Sequence, residues 1–150
     1  MLHRLKRLSN NINNTKKKSR ASCSRFFFRG MEVKSILAFS CRAELRLWLQ
    51  NNHQTAKECW VVSYVSHKPQ WNALKYIDIV EEALCFGWID STKKKMPDGR
   101  LVQRLSPRRK RSNWTELNKQ RCRELENQGL MTDAGREAFL SSFVVDYDRV

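Results

Sequence analysis

Paired cysteines, long apolar runs and the common catalytic signatures are all missing from this 150-residue sequence. Each absence excludes a class. Cys23, Cys41, Cys59, Cys85 and Cys122 are odd in number and show no C-x-x-C spacing. Neither a disulfide framework nor a zinc site follows, so each reads as a small buried or half-buried thiol in a reducing compartment. No apolar run approaches the ~20 residues that cross a bilayer, so no membrane span is expected. A Gly-rich phosphate loop, H-E-x-x-H and G-x-S-x-G are likewise absent, and no metal or cofactor is assigned. Glu81 and Glu82 adjoin each other on a helix and face different directions, which is not a general acid/base pair. Cys85 lies beside Phe86 among apolar residues that oppose a thiolate, and no histidine is fixed near it. An enzyme is left unsupported, and the reading leans to a non-enzyme.

Acidic residues are missing from positions 1–30, which hold nine Lys/Arg. The other 120 residues carry 20 basic and 15 acidic side chains. Nine of those 20 fall within residues 93–111 against one acid, Asp98, so the rest of the body is mildly acidic. This is a local anion-facing surface and not a uniformly basic protein. Residues 1–30 repeat Leu2, Leu5, Leu8 and Ile12 at helical spacing among basic residues. The plain reading is a disordered basic extension, or sequence ahead of a true start at Met31. A transit peptide is the competing one. The expected compartment is the cytoplasm, with a mitochondrion or another organelle if the tail targets.

What is present then reads in order. Met31–Phe39 is extended, and Ser40 is the expected N-cap of a helix with Glu44 in its first turn and Leu45, Trp48 and Leu49 as its stripe. His53 caps the end of that helix. Residues 58–66 alternate as a strand, broken by His67-Lys68-Pro69. A helix from about Tyr76 buries Ile77, Val80, Ala83 and Leu84 and stops at Gly87. Residues 88–92 and 101–105 form an antiparallel hairpin, with Lys93–Lys95 and the Pro97-Asp98-Gly99 turn between them. An exposed basic loop, 107–111, leads to a helix capped by Thr115 and ended by Gly129. Leu117, Arg121 and Leu125 lie on one stripe of that helix. Thr132-Asp133 starts a further helix with Ala134, Ala138 and Phe139 inward, and residues 144–150 have no clear partner. The fold class expected is α+β, in one domain over residues 31–150. It has three or four mainly antiparallel strands with about four helices packed on the sheet.

Asp90, Arg104, Arg108, Arg109, Ser112, Trp114 and Asn118 form the candidate anion-binding site. Asp90 can orient Arg104 or Arg108 so that a guanidinium fork meets an anion, or it can be one half of a structural ion pair. Ser112, Trp114 and Asn118 can supply hydroxyl, indole and amide donors near a helix start, or they can simply cap and pack. The competing reading is a basic nucleic-acid-binding strip from Lys93–Lys95 and Arg108–Arg111, although no reading helix or stacking platform is evident. An enzyme acting on an anionic small molecule ranks third.

The runs A-L-C-F-G-W-I-D, Q-R-L-S-P-R-R-K-R-S-N-W-T-E-L-N and G-L-M-T-D-A-G resemble the YdeI/OmpD-associated proteins, bacterial proteins also labelled bacteriocin-protection proteins. F-S-C-R-A-E-L-R-L-W-L-Q-N-N-H and E-C-W-V-V-S-Y match that family's opening helix and first strand. The resemblance covers residues 37–139. It implies resistance to bacteriocins or cationic peptides, or stress protection, and association with a porin. No reaction or cofactor comes with it. The chain stops before the family's later W-I-x-x-A-K helical segment and is expected to be a truncated product or a fragment. An unknown anionic ligand or an acidic protein is the expected partner.

Overall fold

Two short strands, β1 (Phe26–Phe28) and β2 (Met31–Val33), pair antiparallel and precede the main sheet in the computed structural model. The structure describes residues 26–28, 31–33, 36–65 and 72–147. The extension read as disordered or targeting over residues 1–30 lies outside those residues except for 26–28, and so does the break at His67-Lys68-Pro69. The boundary set at residue 30 falls inside the β1–β2 ribbon.

The main sheet is mixed and five-stranded. β3 (Ile36–Leu37) is followed by helix α1 (Arg42–Asn52), then by the central strand β4 (Cys59–Tyr64). β5 (Leu74–Lys75) runs straight into α2 (Tyr76–Cys85). β6 (Trp88–Lys95) and β7 (Leu101–Pro107) form the hairpin, and α3 (Glu116–Asn127) and α4 (Asp133–Tyr147) close the domain. The sheet runs β3-β4-β7-β6, with β5 also pairing β4. β4 pairs antiparallel with β7 and parallel with β3 and β5, which share its other edge. The fold is α+β with four helices, as expected. The strands beyond the expected three or four are pieces of two or three residues, too short for a pattern to register.

β4 is buried on both faces because its alternate residues feed two clusters. Cys59 and Val61 join the main core with α1, α2, α3 and the edge of α4. Trp60 and Val62 join a second cluster with Ile36, Met96 and Val102. The helices therefore sit on one side. Trp88 is 1% exposed; its ring meets Trp48 edge-on at 6.1 Å, and its indole N–H donates to the His53 carbonyl at 3.2 Å. A buried indole needs such an acceptor, and this one ties β6 to the end of α1.

Several local expectations are corrected. The N-cap of α1 is Cys41, and Ser40 instead donates its backbone N–H to Glu44 at 2.7 Å. Ile77 is only half-buried in α2, and Ile79 takes the core position. Lys93–Lys95 belong to β6 and not to the turn. On α3 the buried positions are Lys119, Cys122 and Leu125, while Leu117 is 56% exposed. Helix α4 runs on to Tyr147, through residues that showed no partner in the sequence. Glu81 and Glu82 converge on one guanidinium: Arg42 donates to both, and Arg46 adds a second bond to the buried Glu82 at 3.0 Å. That network fastens α1 to α2. Its value lies in pairing a charge that burial alone would penalise heavily.

Two glycines let α4 cross α2. Gly87, at φ 72, ends α2 in the left-handed conformation that a side chain resists. A Cβ on Gly135 would lie 2.7 Å from the Cys85 carbonyl carbon and 2.9 Å from the Leu84 oxygen. Thr132 seals the contact, its hydroxyl and N–H both donating to the Cys85 carbonyl.

Candidate functional site

The β6–β7 register decides which predicted residues meet. Asp90 pairs with Leu105, and Arg104 pairs with Trp60. Leu105 belongs to the helix-side core and Trp60 to the opposite cluster. Paired residues share a face and successive ones alternate, so Asp90 and Arg104 point to opposite sides. Arg104 is bound there by Glu58, at 2.9 Å through Nε, and by Ser91 at 3.3 Å. It leaves the candidate site. A register shift between Asp90 and Lys93 returns Lys93, opposite Gln103, to the helix side.

Arg108 is the centre of what remains. β7 ends at Pro107, and the Arg108 N–H donates to the Gly87 carbonyl at 3.0 Å, holding the start of the basic loop beside α2. Ser112 N–H closes a turn on the Arg109 carbonyl, and Arg111 takes φ 64, an unusual value for a residue with a side chain. The turn folds residues 112–114 back over Arg108. Its Nη1 donates to Ser112 Oγ at 3.3 Å and to the Asn113 carbonyl at 3.2 Å. Its guanidinium lies over the Trp114 ring, 3.7 Å from the centroid, and Trp114 is backed by Phe139 at 5.7 Å. Nε and Nη2 of the same guanidinium are buried and have no hydrogen-bond partner. Burial pushes the Arg108 guanidinium below its ordinary value, partly offset by charge at Cys122 and Asp90. The expectation that residues 107–111 are all exposed therefore fails at Arg108, which an indole shelters.

Around it stand groups from three elements. Tyr76 at the start of α2 donates its hydroxyl to Asp90 Oδ2 at 2.6 Å, and burial followed by that bond pushes the phenol up to about 12. Lys93 lies 5.8 Å from the centroid of the Tyr76 ring. Arg121 acts electrostatically on Tyr76 and donates to Asn118 Oδ1 at 3.1 Å. Asn118 also gives its backbone N–H to the Thr115 cap at 3.2 Å. The structure thus gathers Asp90, Arg108, Ser112 and Trp114, brings Asn118 to the rim through Arg121, and leaves Arg109 exposed. Tyr76, Lys93 and Arg121 were not among the residues expected at this site. Arg121 was legible as a basic residue three positions after Asn118 on one helix face, whereas Lys93 required the bulge and Tyr76 a tertiary contact.

Arg108 thus lies within electrostatic reach of Asp90, Lys93 and Arg121 lie near the Tyr76 that binds Asp90, and two lateral donors of Arg108 stay unpaired. Residues 37–138 match the family model described as Domain of unknown function (DUF8412). The chain belongs to that family. Neither a curated protein nor a solved structure matches it. The DUF8412 match spans the sheet and site from Leu37 on β3 to Ala138 on α4. Among the described residues, no helix is long and apolar enough to cross a membrane.

Proposed function

We propose that this domain is a non-enzymatic anion-binding protein whose ligand docks on Arg108. One observation carries the reading: a half-buried guanidinium, stacked on Trp114, keeps Nε and Nη2 dry and unpaired. Each unsatisfied buried donor costs about 1–3 kcal/mol, more when charged. An oxyanion with two oxygens removes that cost with a bidentate, charge-assisted pair. The thiols support a non-enzymatic role. Burial holds Cys85 up at about 11 and Cys59 and Cys122 at about 12, far from the thiolate that nucleophilic chemistry needs. Free thiols at Cys41, Cys59, Cys85 and Cys122 also favour a reducing compartment, which supports the cytoplasm.

On the resemblance to the YdeI/OmpD-associated proteins, we further propose that this recognition serves resistance or stress protection, with an acidic protein or a small anion as partner. Nucleic-acid binding is less well supported. Trp114 is occupied by Arg108 and Phe139, and Trp60 is buried under Lys94, so neither offers a free stacking face.

Thermal shift with a panel of small anions tests the proposal. A ligand that raises the melting temperature of the parent and leaves Arg108→Ala unmoved is the expected result. Equal shifts in both proteins, or none in either, remove the site.

A further inference from the structure

The two free nitrogens of Arg108 lie on one edge. Nε–H and the adjacent Nη2–H are parallel donors, whereas the end-on Nη1 hydrogens are consumed by Ser112 and Asn113. That unpaired edge is the one that receives both oxygens of a carboxylate. Asp90 is close enough for Arg108 to feel its charge, yet no ion pair joins them. Tyr76 occupies Asp90 Oδ2, and no described residue donates to Oδ1. An unpaired cationic fork and an unpaired acceptor oxygen therefore remain with no direct bond between them.

An anion without a proton to give would meet the Asp90 charge as repulsion. One that carries a donor beside its acid group turns that charge into a partner. We propose, resting on the anion reading above, that the ligand is a small carboxylic acid bearing an amino or hydroxyl group next to its carboxylate. The carboxylate sits on the lateral edge of Arg108 and the neighbouring ammonium or hydroxyl donates to Asp90. Asp90 then determines specificity, while Arg108 supplies affinity. Lys93 and Arg121, on the same side of the sheet, accommodate a second acidic group on the ligand.

Isothermal titration of the full chain with matched acids tests this. The pairs are L-alanine against propionate, L-glutamate against glutarate and 2-hydroxyglutarate against glutarate, with inorganic phosphate alongside. The amino or hydroxy member should bind roughly tenfold or more tightly than its bare partner, because the bare acid leaves the acceptor unmet. Asp90→Asn should shrink the amino-acid advantage while leaving bare acids bound as well or better. Bare acids binding as tightly as their partners in the parent protein, or phosphate alone binding, overturns the inference and leaves the anion site standing. If no acid and no phosphate binds, the anion reading falls with it. Should Asp90→Asn fail to fold, the matched pairs in the parent decide alone.

Discussion

At the scale of single residues, burial leaves some polar groups fully paired and others, Arg108 among them, with unpaired atoms. Glu82 is 1% exposed yet meets two guanidiniums, whereas Arg108 keeps two dry donors unanswered. Thiols and Tyr76 carry a different consequence. Folding raises Cys59, Cys85 and Cys122 from an ordinary 9.0 to about 11–12, and Tyr76 from 10.0 to about 12. The folded state thus keeps protons that the unfolded chain releases, so this stability is full below the ordinary values and is lost as pH rises toward the raised ones. The urea midpoint should fall between about pH 8.5 and 10.5, and Cys59→Ala should reduce the fall. A flat or rising midpoint contradicts the burial of these groups. Peptide-level thiol labelling at neutral pH should modify exposed Cys41 in the native protein and reach Cys59, Cys85 and Cys122 only on unfolding. Native labelling of Cys85 at the Cys41 rate would count against it.

At the scale of elements, the longer pieces were legible and the joints were not. The stripes of α1 and α2, the Thr115 cap, Gly87 and the Asp98-Gly99 turn all state their positions through local chemistry. The register that sends Arg104 and Asp90 to opposite faces depends on a bulge, and a period-two pattern does not carry that information. Leu117 misled for a related reason. The buried stripe of α3 is set by where α3 meets α2, and a half-turn error exchanges Leu117 for Asn118 and Lys119. The α2–α4 crossing gives a direct test. Ala in place of a helical Gly normally gains about 1 kcal/mol. At Gly135 the added methyl runs into the Cys85 and Leu84 carbonyls, which are backbone and cannot rotate away. Overpacking of about 1–3 kcal/mol or more outweighs the propensity, so Gly135→Ala should lower the denaturation midpoint. A midpoint equal to or above that of the parent refutes the close approach.

At the scale of the whole molecule, the charge pattern and the fold agree on one region. The N-terminal extension and the 93–111 excursion carry the positive charge, and the mildly acidic remainder brings the formal total to +14. Within that excursion Arg104 turns to Glu58, Arg109 turns to solvent and Arg108 turns inward to Trp114. Composition announced a local basic surface; only the folded chain distinguishes the guanidinium stacked on an indole from the cations that pair or meet solvent. The most direct measurement is the arginine side-chain Nε–H spectrum of the labelled protein during titration with L-glutamate. One resonance, absent from Arg108→Lys, should move and saturate, while the Arg42 and Arg104 signals, already bound to Glu82 and Glu58, stay in place. An unmoved Arg108 resonance, or a shift that grows linearly without saturating, would contradict a ligand site built on its unpaired edge.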